Sequence, residues 1–196
     1  MQVTVLQESG HELALRGMAY SYKDRSVEVR DWWGGQYTRA QKRAAILAHK
    51  SGGHNKFLES MQVWIDVEAS RAWWSEMDTY RVGTTKQSES TMHTLSKREP
   101  TQDDFEVGTH PLTVETFKRI WETAGDIHLL KMNLPEGFLQ RRLINTNYKV
   151  LQNIIQQRID HRLHLWRVFC NEIIEQVQYP EYLIKKEKDA TSSEVK

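Results

Sequence analysis

Between His54 and Thr91 the chain changes its hydrophobic period once, and that change limits the folds open to it. Met61, Val63, Ile65 and Val67 alternate with Gln62, Trp64 and Asp66, the period-two pattern of a strand with one buried face. Ala69, Ala72, Trp73, Met77 and Tyr80 then return to helical spacing, and the polar run from Gly83 to Pro111 ends the unit. His54 and Glu59 stand five positions apart ahead of the strand, so polar groups able to bind a charged ligand flank a strand–helix unit at both ends.

The rest of the chain surrounds that unit with helices. Val3 and Val5 in MQVTVLQESG share one face of a short first strand. Thr38 to Lys50 is rich in helix formers and stops at Ser51-Gly52-Gly53. The Gly83–Pro111 run reads as a long loop with a short helix inside it, a length that often carries function. Thr113 opens a helix with an apolar face of Val114, Phe117, Ile120 or Trp121, Ala124 and Ile127. A helical pattern extends from about Leu139 to Val177, too long for one ordinary helix, with a break expected near Asn145–Asn147. Residues 1–184 are expected to form one domain and 185–196 a disordered, charged tail.

Several function classes are excluded or weakened. A net charge of +1 gives no general drive toward nucleic acid or anionic membrane, so phosphate recognition must be local and no direct nucleic-acid binding is expected. No apolar run approaches the ~20 residues that cross a bilayer, and the N-terminus lacks a signal-peptide pattern, so a cytoplasmic location is the expectation. Cys170 is the one cysteine and lies in an apolar stripe with Trp166 and Ile173, the setting of a structural thiol. There is no phosphate loop, dinucleotide-binding glycine pattern or hydrolase elbow. His161 and His164 lack a second carboxylate–histidine set, so they read as a polar helix face and no metal site is expected. The seven tryptophans read first as core and interface filling. Arg158 lies beside the apolar stripe of Leu151, Ile154 and Ile155, where it is either a structural ion pair or a guanidinium forking onto a planar or anionic ligand. Lys131, just before Leu134-Pro135, is equally open between a solvated charge and a ligand contact.

Two ordered sets of residues resemble the flavin-dependent thymidylate synthases over most of the chain. The first is Gly53-His54-Asn55-Lys56-Phe57-Leu58-Glu59-Ser60, which is similar to that family's G-H-x-x-x-x-E-H and precedes an alternating strand and an arginine-containing helix. The second is Leu134-Pro135 followed by Asn147-Tyr148-Lys149, Asn153 and Arg158, matching an L-P element and then N-x-R, N and R without a gap. The resemblance implies an α+β fold, a twisted, mostly antiparallel sheet flanked by helices, assembled as a homotetramer with active sites shared between subunits. It implies transfer of a one-carbon unit from methylenetetrahydrofolate to C5 of dUMP, giving dTMP, with FAD as carrier and NADPH as reductant. His54, Lys56, Glu59, Arg81, Asn147, Lys149 and Asn153 would hold the flavin. Arg158 would be catalytic, polarising the pyrimidine, with Lys131, Arg81, Gln87, Ser88 and Ser90 as further substrate contacts.

The family's R-H-R signature stands here as Thr79-Tyr80-Arg81, its later serine aligns with Glu89, or with Ser88 or Ser90 after a one-residue shift, and the family's phosphate-gripping arginine two residues further on aligns with Thr91 or Met92. Lys86, His93, Lys97 or Arg98 would then supply substitute charge. Two alternatives follow from those differences: the same chemistry on another pyrimidine such as dCMP, and a catalytically inactive nucleotide-binding oligomeric relative.

Overall fold

The computed structural model describes residues 1–22 and 35–185. Four strands form one antiparallel sheet in the order β1-β2-β4-β3: β1 (Gln2–Ser9), β2 (Gln62–Ser70), β3 (Thr85–Ser88) and β4 (Leu139–Asn147). The helices are α1 (His11–Ala19), α2 (Gly35–Leu47), α3 (Arg71–Met77), α4 (Thr91–Thr94), α5 (Pro111–Thr123), α6 (Ile127–Met132), α7 (Tyr148–Arg158) and α8 (His164–Gln176), and a 3-10 turn spans Lys56–Ser60. The expected α+β class and antiparallel sheet are what the chain adopts.

β2 follows from its alternation: Val63, Ile65, Val67 and Ala69 are fully buried while Gln62, Trp64, Asp66 and Glu68 are half-buried on the other face. It pairs on one side with β1, Val3 opposite Val67, and on the other with β4, Ile65 opposite Ile144. The outer edge of β1 is closed by a side chain from α8. Val5 N–H donates to Gln176 Oε1 at 2.8 Å, and Gln176 Nε2 donates to Val3 O at 3.0 Å, which removes two open backbone groups from an edge strand.

The expected long helix from Leu139 is corrected. Leu139–Asn147 is the central strand β4, and the helix begins at Tyr148. Leu139 and Leu143 mimic a helical repeat. The strand prevails because β4 is hydrogen-bonded on both sides and its arginines have partners on neighbouring elements: Arg141 pairs with Asp66, and Arg142 donates to both carboxylate oxygens of Asp78 at 3.1 Å. The junction falls at Asn147, within the stretch where a break is expected, and a second break at 159–163 separates α7 from α8. The helix expected to reach Ile127 also divides, α5 ending at Thr123 and α6 starting after Asp126, whose carboxylate accepts from Leu129 N–H at 3.0 Å. The polar run holds β3 as well as the short helix α4. The expected tail lies outside the described residues apart from Lys185.

In the main core Trp73, Trp74 and Trp166 are fully buried and in aromatic contact through Trp73, with ring centroids 4.8 and 4.9 Å apart. Core filling is therefore the role of three tryptophans, while Trp32 and Trp33 fall outside the described residues. Cys170 is fully buried, and burial pushes its thiol up to about 12, which removes it as a nucleophile. A second, smaller core of Leu95, Phe105, Val114, Phe117, Leu130 and Leu134 lies under α4, α5 and α6.

His11 opens α1 inside an aromatic cage. It stacks on Tyr179 at 3.7 Å, with Tyr182 Oη 3.2 Å from Nε2 and Tyr37 Oη 3.3 Å from Nδ1. Burial lowers its imidazole from 6.5 to about 4. The unfolded chain thus binds this proton more tightly than the folded one, so the stability held above pH 6.5 declines as pH falls toward 4. Between pH 7 and pH 5 this one group is expected to cost about 2 kcal/mol. Urea midpoints of wild type and His11→Gln should diverge over that window, with the variant less pH-sensitive; parallel curves would contradict the assignment.

Candidate functional site

The site residues gather on α7 and on the two segments that run against it. Asn147 starts the helix: its Oδ1 accepts from Val150 N–H at 3.0 Å, an N-cap worth about 1 kcal/mol. Leu151, Ile154 and Ile155 bury one face against the sheet, leaving Lys149 and Asn153, four apart, on the other side. The Lys56–Ser60 turn packs on the start of this helix, and Tyr148 N–H donates to Met61 O at 3.0 Å. Lys56 and Glu59 line a cleft of about 440 Å³ with Leu13, Gly17, Met18 and Ser60. His54 is exposed in the turn just before.

The stretch after α3 runs antiparallel to α7. Tyr80 Oη lies 2.8 Å from Gln157 Oε1 near the helix end, and Gly83 sits at its start. A Cβ on Gly83 would come within 3.0 Å of both Asn147 Nδ2 and Val150, so the close approach needs glycine there. Arg81 lies between those two contacts, exposed, with Nε 3.4 Å from Asp78 O. Lys149 and Asn153 thus share the outer side of α7 and Arg81 runs past the helix, while Lys56 and Glu59 face α1 across their cleft and Arg158 lies on the side of Leu151, Ile154 and Ile155.

Arg158 is held by three side chains. Nε donates to Tyr80 Oη at 2.9 Å, Nη1 to Glu76 Oε2 at 3.3 Å, and Nη1 lies 2.8 Å from His161 Nε2. The guanidinium also lies 4.8 Å from the Trp166 ring centre, and Trp166 Nε1 donates to the same Glu76 oxygen at 2.8 Å. The side chain keeps 21% of its surface open. Both readings of Arg158 left open by the sequence are therefore compatible with its place: it has an ion-pair partner, and its face remains reachable. Glu76, Tyr80 and His161 were not singled out as contacts of Arg158 from the sequence. Glu76 is the one carboxylate in α3, the signal that an arginine on an apolar stripe calls for.

The other expected contacts lie away from α7 or are turned inward. Thr85 pairs with Asn145 and Ser88 with Arg142, so β3 carries Gln87 and Ser88 toward the opposite end of the sheet. Ser90 precedes α4, and Lys131 lies on α6, which packs on α4 over the second core. Asn147 is buried and committed to its cap rather than turned outward. Lys86 is engaged as well: its Nζ donates to Met77 O, Tyr80 O and Asp78 Oδ1 at 3.0, 3.2 and 3.1 Å, closing the end of α3. Burial alone would raise the Asp78 carboxyl, yet hydrogen bonds from Arg142 and Lys86 hold it below the ordinary carboxylate range. Arg98 is paired with Asp104. Among the described residues no cluster could hold a metal ion, and no helix is long and apolar enough to cross a membrane.

A flavin dinucleotide needs cations at its phosphates and amide or backbone-type partners at its ring. Exposed Lys56 and Arg81 and half-buried Lys149 can offer the first and exposed Asn153 the second, so the residue types present fit such a group.

No known family's sequence profile matches the chain, and no curated protein sequence does. Solved structures do. The flavin-dependent thymidylate synthase of Helicobacter pylori, complexed with FAD and dUMP, superposes with a TM-score of 0.78 at 14% identity, covering 94% of this chain and 98% of that one. A second structure of the H. pylori enzyme with FAD and dUMP gives 0.75 at 16% identity with the same coverage. The chain therefore has the fold of the flavin-dependent thymidylate synthases along nearly its whole length.

Proposed function

We propose that this chain is a flavin-dependent enzyme that moves a one-carbon unit from methylenetetrahydrofolate to C5 of a pyrimidine deoxynucleotide, dUMP to dTMP, with NADPH as reductant. The observation that carries this reading is the fold itself, whose solved examples hold FAD and dUMP, with Lys149, Asn153 and Arg158 on α7 and Lys56, Glu59 and Arg81 on the two segments that contact it. FAD supplies the reducing equivalents that turn a transferred methylene into a methyl group. Lys56, Arg81 and Lys149 bind its phosphates, and Glu59 and Asn153 orient it. Arg158 holds the pyrimidine and stabilises charge that develops on the ring during transfer.

Gln87, Ser88, Ser90 and Lys131 serve the nucleotide from the opposite end of the sheet, in a homotetramer whose sites combine residues of different subunits. Large exposed apolar side chains such as Leu13 (72%) and Ile46 (64%) suit burial between copies. The enzyme works in the cytoplasm.

A second reading, an inactive nucleotide-binding relative, is favoured by the internal partners of Arg158 and by Tyr80 standing at the middle position of the R-H-R signature. One anaerobic experiment separates the two. With flavin-loaded, chemically reduced protein, adding dUMP and methylenetetrahydrofolate should return the oxidised flavin spectrum and yield dTMP. A spectrum that stays reduced, with both ligands bound, would establish the inactive relative.

A further inference from the structure

Gly17 stands in the second half of α1 without a backbone reason to be there. It is not among the glycines with positive φ, and a Cβ added to it would meet nothing within 4 Å. A helix interior disfavours glycine relative to alanine, and neither a left-handed turn nor crowding by a neighbour calls for it here. What glycine does provide is bare backbone against which a flat group can lie closely.

Gly17 lies in the wall of the cleft of about 440 Å³ between α1 and the Lys56–Ser60 turn. Leu13 and Gly17 are four residues apart, as are Ala14 and Met18, so one face of the helix forms that wall, apolar except at the exposed glycine backbone. Phe57 continues the apolar lining, and Met18 has the flexibility to settle against a ring. Across the cleft Glu59 is exposed and only its backbone carbonyl is engaged, by Gln62 Nε2 at 3.0 Å. Among the described residues its carboxylate has no hydrogen bond or ion pair. Apolar walls with one free acceptor fit a planar ring that has an apolar end and an N–H edge.

We infer that Gly17 is a cofactor-binding residue, and that the isoalloxazine ring of the flavin lies flat over its backbone, with the apolar dimethylbenzene end against α1 side chains and ring N3–H donating to Glu59. This rests on the flavin reading given above and deepens it, adding α1 to the segments that hold the cofactor and naming the part of it that the cleft takes. N3–H is the one ring donor of oxidised isoalloxazine and a carboxylate only accepts, so the pairing fixes which way the ring points. Adenine, the other ring of FAD, has no apolar end to match the wall.

The test is equilibrium titration of flavin-free protein with FAD and with FMN, which has the same ring and no adenine, for wild type, Gly17→Ala and Gly17→Leu. Thermal melts without ligand accompany each. Gly17→Ala should melt about 1–4 °C higher than wild type, from helix propensity, and bind both flavins about threefold more weakly. Gly17→Leu, which fills the bare patch, should melt no lower than wild type and lose at least about tenfold in affinity for both. Wild-type affinity for both flavins in Gly17→Leu overturns this assignment alone, as does a Gly17→Ala variant that melts lower, which would make the glycine structural. A loss confined to FAD, or wild type that binds FAD and not FMN, puts adenine in the cleft and overturns it too. Wild type that binds neither flavin overturns the proposed function and this inference with it.

Discussion

Replacing Arg158 with alanine is expected to lower turnover by about a hundredfold or more while the protein still folds and binds flavin. The guanidinium is fixed in direction as well as place, with Tyr80 on Nε and Glu76 on Nη1. A group oriented before substrate arrives needs no reorganisation as charge develops, which is why its loss should appear in kcat. Truncation costs some stability too, since Tyr80 and Glu76 each lose a partner, but Glu76 keeps Trp166 and is itself part-exposed, so roughly 1–2 kcal/mol is expected. Arg158→Lys should restore most of that stability and little of the turnover, because an ammonium cannot make the same fork. Steady-state kinetics beside thermal melts check both halves. Near-normal turnover in Arg158→Ala would make the residue a structural ion pair only.

Gly10→Ala is expected to destabilise the fold by about 4 kcal/mol, among the largest single-residue effects in the chain. Gly10 joins β1 to α1 with φ +86°, a left-handed conformation that costs an L side chain roughly 1–2 kcal/mol. A Cβ there would also meet Ser60 O at 2.4 Å, and that atom is backbone, so it cannot swing aside. The damage would not stay local, because Ser60 ends the turn that presents Lys56 and Glu59. Chemical denaturation should therefore show a large fall in midpoint, with flavin binding weakened in step. A variant with an unchanged midpoint would contradict the description of this junction.

The sequence carries much of this fold and less of the site. Alternation at Val63, Ile65 and Val67 was enough to find β2, because one face of that strand is wholly buried. β4 was hidden: Leu139 and Leu143 stand one helical turn apart, and the reasons for a strand there, Asp66 and Asp78 awaiting Arg141 and Arg142, lie far away in the chain. Asn147 shows the same limit in another form. Its spacing to Val150 is that of an N-cap, readable in principle, and its place in a family-like pattern suggested a cofactor contact instead. The network around Arg158 closes across about eighty residues, which no local pattern reports. Of His54, Glu59, Arg81, Asn147, Asn153 and Arg158, the last three lie on or at the start of α7, Glu59 and Arg81 lie on segments that contact that helix, and His54 is exposed in the turn before Lys56.

The central claim is that this chain binds a flavin dinucleotide. Titrating the purified protein with FAD and following the quenching of flavin fluorescence tests it directly. Saturable binding is predicted, weakened in a Lys149→Ala, Asn153→Ala double variant that melts like wild type. Fluorescence that never departs from that of free FAD, at any protein concentration, would contradict it.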